Sequence, residues 1–194
     1  SSIKNVLVSE DVLSTIESLK RLGVLIKKKG PKKFLVYGKG LGSLTAKRNS
    51  ELHFGNSGTL ARLLIGILAT TPEIEVKIRG DSSLNKRSMK QLIELMSEFG
   101  ASFYPSNKFK FPLKMYSSNV PVGIRYKAGV SAQLKSAVIL AGLNSYGDTE
   151  ILEDKSSRNH TENMLIKNSN VIKIKGSKKK IIKVQGKKIL NSIN

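Results

Sequence analysis

The stretch Gly55-Asn56-Ser57-Gly58-Thr59 runs straight into Leu60-Ala61-Arg62-Leu63-Leu64, so a small polar loop opens an apolar helix. A junction of this kind suits an anion. Asn56 or Ser57 can cap the helix, Gly58 lets a ligand approach the backbone, and the unpaired N–H groups of the first turn lie at the positive end of the helix dipole. Taken alone, it reads first as the start of an ordinary capped helix, because glycine-rich helix entries are common and this one lacks the full P-loop pattern. Further residues shift the balance. Ser131-Ala132-Gln133 opens a second apolar helix, and Arg87 and Arg158 each stand at the start of a following amphipathic helix. Arginine presents a planar fork matched to phosphate or carboxylate, and each helix start adds N–H donors. If the fold brings these helix starts to one face, they make a site for phosphates. The plainer alternatives are a surface ion pair for each arginine, a simple N-cap for Ser131 and a local side-chain-to-backbone bond for Gln133. Lys86 and Lys135 read as solvated charges.

The elements that must carry these residues follow from the spacing of apolar positions. Residues 3–8 alternate as a strand, and Val12, Ile16, Leu19 and Leu22 form a helical stripe ending at Gly23. Strands are expected at 24–26, 34–37 and 52–54. The helix after Gly55 should reach Thr70, stopped by Pro72, and a strand should follow at 74–79. Gly80-Asp81-Ser82-Ser83-Leu84-Asn85-Lys86-Arg87 is polar and turn-rich, and the helix beyond it carries Met89, Leu92, Ile93, Met96 and Phe99. A hairpin is expected over 101–104 and 109–116. Then come a strand at 120–127, a helix at 131–144, a strand at 149–152, a helix at 160–168 and a hairpin at 171–175 and 181–184.

This order contains an internal repeat. Leu19-Lys20-Arg21-Leu22-Gly23-Val24 parallels Met96-Ser97-Glu98-Phe99-Gly100-Ala101, each closing an amphipathic helix and opening a basic hairpin. The fold class is therefore α/β (α+β), with three strand-helix-strand-helix-hairpin units at about 1–54, 55–119 and 120–190 in a single domain over 1–194. The first unit has no counterpart of the helix after Gly55, and that helix is expected before Ser1.

Composition narrows the partners. The 194 residues, 39% of them hydrophobic, suffice for a real core. No cysteine is present, which excludes disulfides, a thiol nucleophile and zinc–thiolate sites and fits a reducing, cytoplasmic setting. His53 and His160 belong to no ligand spacing, so neither a metal nor another cofactor is expected. No run of about eighteen apolar residues exists to span a membrane. The net charge of +20, from 34 Lys and Arg against 14 Asp and Glu, calls for anionic partners. Nucleic acid is disfavoured, because the lysines sit in hairpins such as 27–29, 32–33 and 178–180 with few aromatics to stack bases. A basic surface around a small-anion pocket suits them as well.

Four motifs, Gly55-Asn56-Ser57-Gly58-Thr59 with Arg62, Gly80 to Leu84 with Arg87, Ser131-Ala132-Gln133 with Lys135-Ser136, and Ser157-Arg158-Asn159-His160-Thr161-Glu162, together resemble the EPSP synthase family over nearly the whole chain. The resemblance implies a transferase of aromatic amino-acid biosynthesis, the shikimate pathway, that joins phosphoenolpyruvate to shikimate 3-phosphate and is the target of glyphosate. It implies an inside-out barrel domain of three repeats, helices inside and sheets outside, with helix starts aimed at a cleft shared with a second, similar domain. By the same resemblance Ser131, Ala132, Gln133 and Arg158 hold shikimate 3-phosphate, while Asn56, Gly58, Thr59, Arg87 and Gln133 line the phosphoenolpyruvate side.

The chain also departs from the family pattern. The family's Lys-Ser-x-Ser-x-Arg motif would fall in the helix expected before Ser1, and the second domain with its catalytic Asp, Lys and Glu is not in this sequence. No catalytic acid or base is therefore assigned, and this fragment alone is expected to be inactive. Ser88 stands where a proline is usual and could cap the helix after Arg87, and Asn159 replaces the usual aspartate. The alternative functions are a UDP-N-acetylglucosamine enolpyruvyl transferase-like domain and a non-catalytic basic module that binds nucleic acid.

Overall fold

The computed structural model describes residues 1–168 and 170–191, so the end of the expected domain span at 192–194 lies outside the described residues. In chain order the elements are β1 (Ser2–Ile3), α1 (Glu10–Arg21), β2 (Leu25–Gly30), β3 (Lys33–Tyr37), β4 (Ser50–His53), α2 (Gly58–Ala69), β5 (Glu75–Arg79), α3 (Ser82–Lys86) and α4 (Lys90–Glu98). They continue as β6 (Ser102–Tyr104), β7 (Leu113–Tyr116), β8 (Arg125–Ala128), α5 (Ala132–Leu143), β9 (Asp148–Glu153), α6 (His160–Asn168), β10 (Ile172–Lys175) and β11 (Lys180–Gln185).

The strands form three separate sheets ordered β1-β3-β2, β4-β5-β7-β6 and β10-β11-β9-β8. In each four-stranded sheet the first pair is parallel, β4 with β5 and β8 with β9, joined by the crossover helices α2 and α5. The later pairs are antiparallel, and α4 or α6 lies between the second strand and the hairpin. The three-stranded sheet repeats that second half: β1, α1, β2 and β3 match β5, α4, β6 and β7 in order and pairing. The glycines that end the first helices of these halves do the same job. Gly23 and Gly100 take φ of 85° and 94°, the left-handed conformation that lets a chain leave a helix and enter a strand.

Several expected strands are shorter than the alternation suggested. The first is only β1, because Asn5 turns into the left-handed region at φ 56°. The expected strand at 120–127 reduces to Arg125–Ala128, preceded by an isolated bridge from Val122 to Tyr146. Phe111, expected in a strand, instead turns into the core, where its ring meets Phe54 edge-on at 6.2 Å. Conversely, β2 runs on through Lys27, Lys28 and Lys29, whose side chains stand out from an edge strand.

Helices α2 and α5 are the centre of the molecule. Their apolar residues cover most of the circumference, which is the pattern of a helix buried on all sides. Leu60, Ala61, Leu64, Ile65, Leu68 and Ala69 of α2 are buried, as are Leu134, Ala137, Val138, Ile139, Ala141 and Leu143 of α5, and the sheets pack around them. The two helices run side by side in the same direction. At their starts Gln133 Nε2 donates to Thr59 Oγ1 at 2.8 Å, and at their ends Asn144 Nδ2 donates to the Thr70 carbonyl.

Midway, Gly66 admits backbone-to-backbone contact. A Cβ there would lie 2.6 Å from the Ala137 carbonyl oxygen and 2.9 Å from its Cα, and rigid backbone cannot yield as a side-chain tip can. Gly66→Ala is therefore expected to destabilise the fold by up to about 2 kcal/mol net, toward the upper end because the obstructing atoms are backbone. Overpacking of ~1–3 kcal/mol outweighs the ~1 kcal/mol that alanine gains in helix propensity. Urea denaturation measures this, and an unchanged or raised midpoint would show that the helices do not meet at this distance.

Candidate functional site

The site grows from the start of α2. Ser57 is the N-cap, its hydroxyl accepting from Leu60 N at 3.2 Å while its carbonyl accepts from Ala61 N. Of the two caps that the sequence left open, Ser57 is used and Asn56 is not. Asn56 stays exposed, and its Oδ1 accepts a 2.7 Å hydrogen bond from Arg87 Nη2. Because the cap takes up the Leu60 and Ala61 amides, the Gly58 and Thr59 N–H groups are left at the open, positive end of the helix.

Arg87 is presented there by the Gly80–Lys86 segment, whose polar residues serve the backbone. Asp81 caps α3 by accepting from Leu84 N at 2.7 Å, and its own N–H donates to the Gly55 carbonyl at 2.8 Å, tying this turn to the α2 loop. Asn85 closes the turn by bonding both the N–H and the carbonyl of Gly80. Leu84 is fully buried beneath, so close to Gly80 that a Cβ would lie 2.5 Å from its Cδ2. Arg87 follows as the C-cap of α3, and Ser88 supports the start of α4 weakly, accepting from Lys90 N at 3.3 Å.

The start of α5 is the third contributor. Ser131 is its N-cap and accepts from Leu134 N at 3.3 Å, while Gln133 reaches across to Thr59. Asn56, Gly58, Thr59, Arg87 and Gln133 thus line one open cleft of about 450 Å³, joined by Arg62, Glu10 and Asp11. Ser131, Ala132 and Arg158 are not on that lining. Arg158 stands exposed in the loop just before α6.

Two of the lining positions carry the electrostatics. Arg62 Nη1 donates to the Gly58 carbonyl at 2.9 Å, and burial first, with the neighbouring Arg87 charge second, lowers its pKa from the usual guanidinium value. Both guanidiniums crowd the same glycine: a Cβ on Gly58 would lie 2.9 Å from Arg62 Nη1 and 3.1 Å from Arg87 Nη1. Neither arginine enters an ion pair among the described residues. Two close cations beside a helix start, Arg62 half-buried and Arg87 exposed, are the electrostatic complement of an anion.

Three residues escaped the sequence reading. Glu10 and Asp11 form the first turn of α1 after Ser9, where acidic residues are ordinary partners of the helix dipole, so nothing in their local pattern marked them as cleft-lining. Lys135, read above as a solvated charge, is instead fully buried. It lies 2.6 Å from both Glu153 and Glu162, partners 18 and 27 residues away that no helical spacing could reveal.

The family model described as EPSP synthase (3-phosphoshikimate 1-carboxyvinyltransferase) matches residues 1–194. The 3-phosphoshikimate 1-carboxyvinyltransferase of Parvibaculum lavamentivorans is 41% identical over 164 residues, which cover 84% of this chain and 36% of that protein. The enzyme of the same name from Streptococcus agalactiae serotype Ia is 44% identical, with 84% of this chain and 38% of that protein covered. The structure of EPSP synthase from Acinetobacter baumannii superposes with a TM-score of 0.88 at 31% identity, over 98% of this chain and 42% of that one. The chain thus spans little more than a third of the length of these curated relatives. It belongs to the EPSP synthase family.

Proposed function

We propose that this chain supplies the shikimate 3-phosphate-binding half of an enzyme that transfers the enolpyruvyl group of phosphoenolpyruvate to a hydroxyl of shikimate 3-phosphate, releasing inorganic phosphate. The observation that carries this reading is the meeting of Arg62, Arg87, Gln133 and the open N-terminus of α2 around Gly58, with neither guanidinium ion-paired among the described residues. Both substrates are multiply charged anions. Fixed cations and N–H donors offset their mutual repulsion before the hydroxyl meets the enol carbon.

In this reading Asn56, Gly58, Thr59, Arg87 and Gln133 face phosphoenolpyruvate, and Ser131, Ala132, Gln133 and Arg158 hold shikimate 3-phosphate. Ser131 still has its hydroxyl proton to donate to a phosphate oxygen, because its role as a cap uses only the acceptor side. The other wall of the cleft, with the proton-transfer groups, belongs to a second domain of the same enzyme, which is the partner this surface serves.

The chain by itself is expected to bind shikimate 3-phosphate weakly and not to turn over. Each charge-assisted contact supplied from elsewhere is worth about 1.5–3 kcal/mol, or roughly 10- to 150-fold in affinity. NMR titration of the isolated chain should shift the amides of Ser131, Gln133 and Arg158, and the shifts should vanish in Arg158→Ala. Phosphate release from the two substrates by this chain alone would overturn the assignment of the proton-transfer groups to the second domain. A response to UDP-N-acetylglucosamine in place of shikimate 3-phosphate would move the reading to the related transferase. Tight, steeply salt-dependent oligonucleotide binding with no response to either would move it to a nucleic-acid module.

Gly58→Ala should weaken binding of phosphoenolpyruvate by about tenfold, because the added methyl enters the space between the two guanidiniums and the anion. Calorimetric titration of parent and variant reads this directly. Equal affinities would show that the ligand does not sit over Gly58.

A further inference from the structure

Lys135, Glu153 and Glu162 form a buried ion cluster that the cleft does not use. The Lys135 side chain is 0% exposed and the two carboxylates 2% each, and Lys135 Nζ lies 2.6 Å from Glu153 Oε1 and 2.6 Å from Glu162 Oε1. Stability alone is a poor reason for such a cluster, since desolvating three charges costs so much that apolar residues of similar volume often serve as well or better. The cluster is also incompletely satisfied, for Glu162 Oε2 is buried with no hydrogen-bond partner among the described residues. What a carboxylate offers and a leucine does not is direction. Glu153 Oε1 also accepts two hydrogen bonds from Ser157, from its N–H and its Oγ, each at 3.0 Å. Burial alone would raise the Glu153 pKa, but the bonds from Lys135 and Ser157 hold it below the usual carboxylate value, so the acceptor stays charged.

The connection matters because of what comes next in the chain. Ser157 immediately precedes Arg158, which is exposed and has no side-chain hydrogen bond or ion pair of its own within the described residues. Its position is set by the backbone, and that backbone is pinned at Ser157. At the other end, Lys135 stands two residues beyond Gln133 on α5, on the side of the helix turned away from Thr59. Helix α5 therefore holds Thr59 of α2 with one face and the end of β9 and the start of α6 with the other. A hydroxyl pair, Ser136 Oγ to Thr161 Oγ1 at 2.8 Å, makes a second tie between α5 and α6.

We propose that Lys135, Glu153 and Glu162 are positioning residues that fix the Arg158 loop relative to the start of α5, so that Arg158 and Gln133 meet one phosphorylated ligand in a set geometry. The proposal rests on the shikimate 3-phosphate reading above for the identity of that ligand.

The test compares the 194-residue chain with two variants. In the triple variant Lys135→Met/Glu153→Leu/Glu162→Leu the charges are replaced by apolar groups that can pack. It is expected to melt close to the parent, yet to bind shikimate 3-phosphate at least ~10-fold more weakly and to lose protection of the Ser157 amide against hydrogen exchange. Glu153→Gln keeps an acceptor oxygen for Ser157 and should retain affinity within about threefold. A folded triple variant that binds as the parent does would show that the cluster only fills space, and would overturn the proposal. Should the triple variant fail to fold, the parent still decides. Its Ser157 amide should exchange on the order of 100-fold more slowly than that of Lys155, and equal rates would overturn the clamp. Absence of shikimate 3-phosphate binding by the parent would count against the ligand, while Ser157 exchange would still judge the cluster separately.

Discussion

Everything in this structure depends on two apolar helices lying parallel and close. Aligned helices place like dipole ends together, which is unfavourable unless each end finds complementary charge. At the C-terminal ends the complement is built in. Asn144 donates to the Thr70 carbonyl and its Oδ1 accepts from Lys187 Nζ at 3.0 Å, so a cation sits where the carbonyls of both helices collect. At the N-terminal ends there is instead a cleft with two guanidiniums and open N–H groups. The asymmetry sets the electrostatics of the site: the close approach at Gly66 gathers positive potential at one end of the pair, where an anion would find its complement.

The side chains around that end divide the work. Ser57, Asp81, Asn85 and Ser131 satisfy backbone groups, and Leu84 anchors the turn from below. Because these residues fix the loops, Arg87, Asn56, Gln133 and Thr59 can reach one another in two direct hydrogen bonds across three elements. Preorganisation of this kind is what an electrostatic site needs, since donors already in place need not reorganise when the ligand arrives. The Lys135 cluster extends the same logic outward, from the α5 start to the segment before α6.

The repeat explains how one chain assembles so many helix starts on one side. A parallel strand pair requires a crossover, and the crossover helices α2 and α5 occupy equivalent places in two units, so their starts face the same way by construction. The antiparallel hairpins then close each sheet on the outside, where the lysine-rich edges of β2 and β10 stay in water.

Much of this was legible in the residues. The apolar character of α2 and α5 around most of their circumference marked them as central, the Gly23 and Gly100 helix ends exposed the repeat, and Gly55 to Thr59 marked a capped helix start. These are local facts, governed by periodicity, capping and the conformational freedom of glycine, and a sequence carries them directly. The residues Asn56, Gly58, Thr59, Arg87 and Gln133 could be named, but their meeting in one cleft depends on which helices lie parallel and at what distance. The same limit hid the burial of Lys135, the arrival of Glu10 and Asp11 at the cleft and the shortening of the strands around Asn5 and Val122. Each rests on a partner far away in the chain. Long-range pairing is decided by how the helices and sheets pack, whereas the sequence speaks most clearly about neighbours within a few residues.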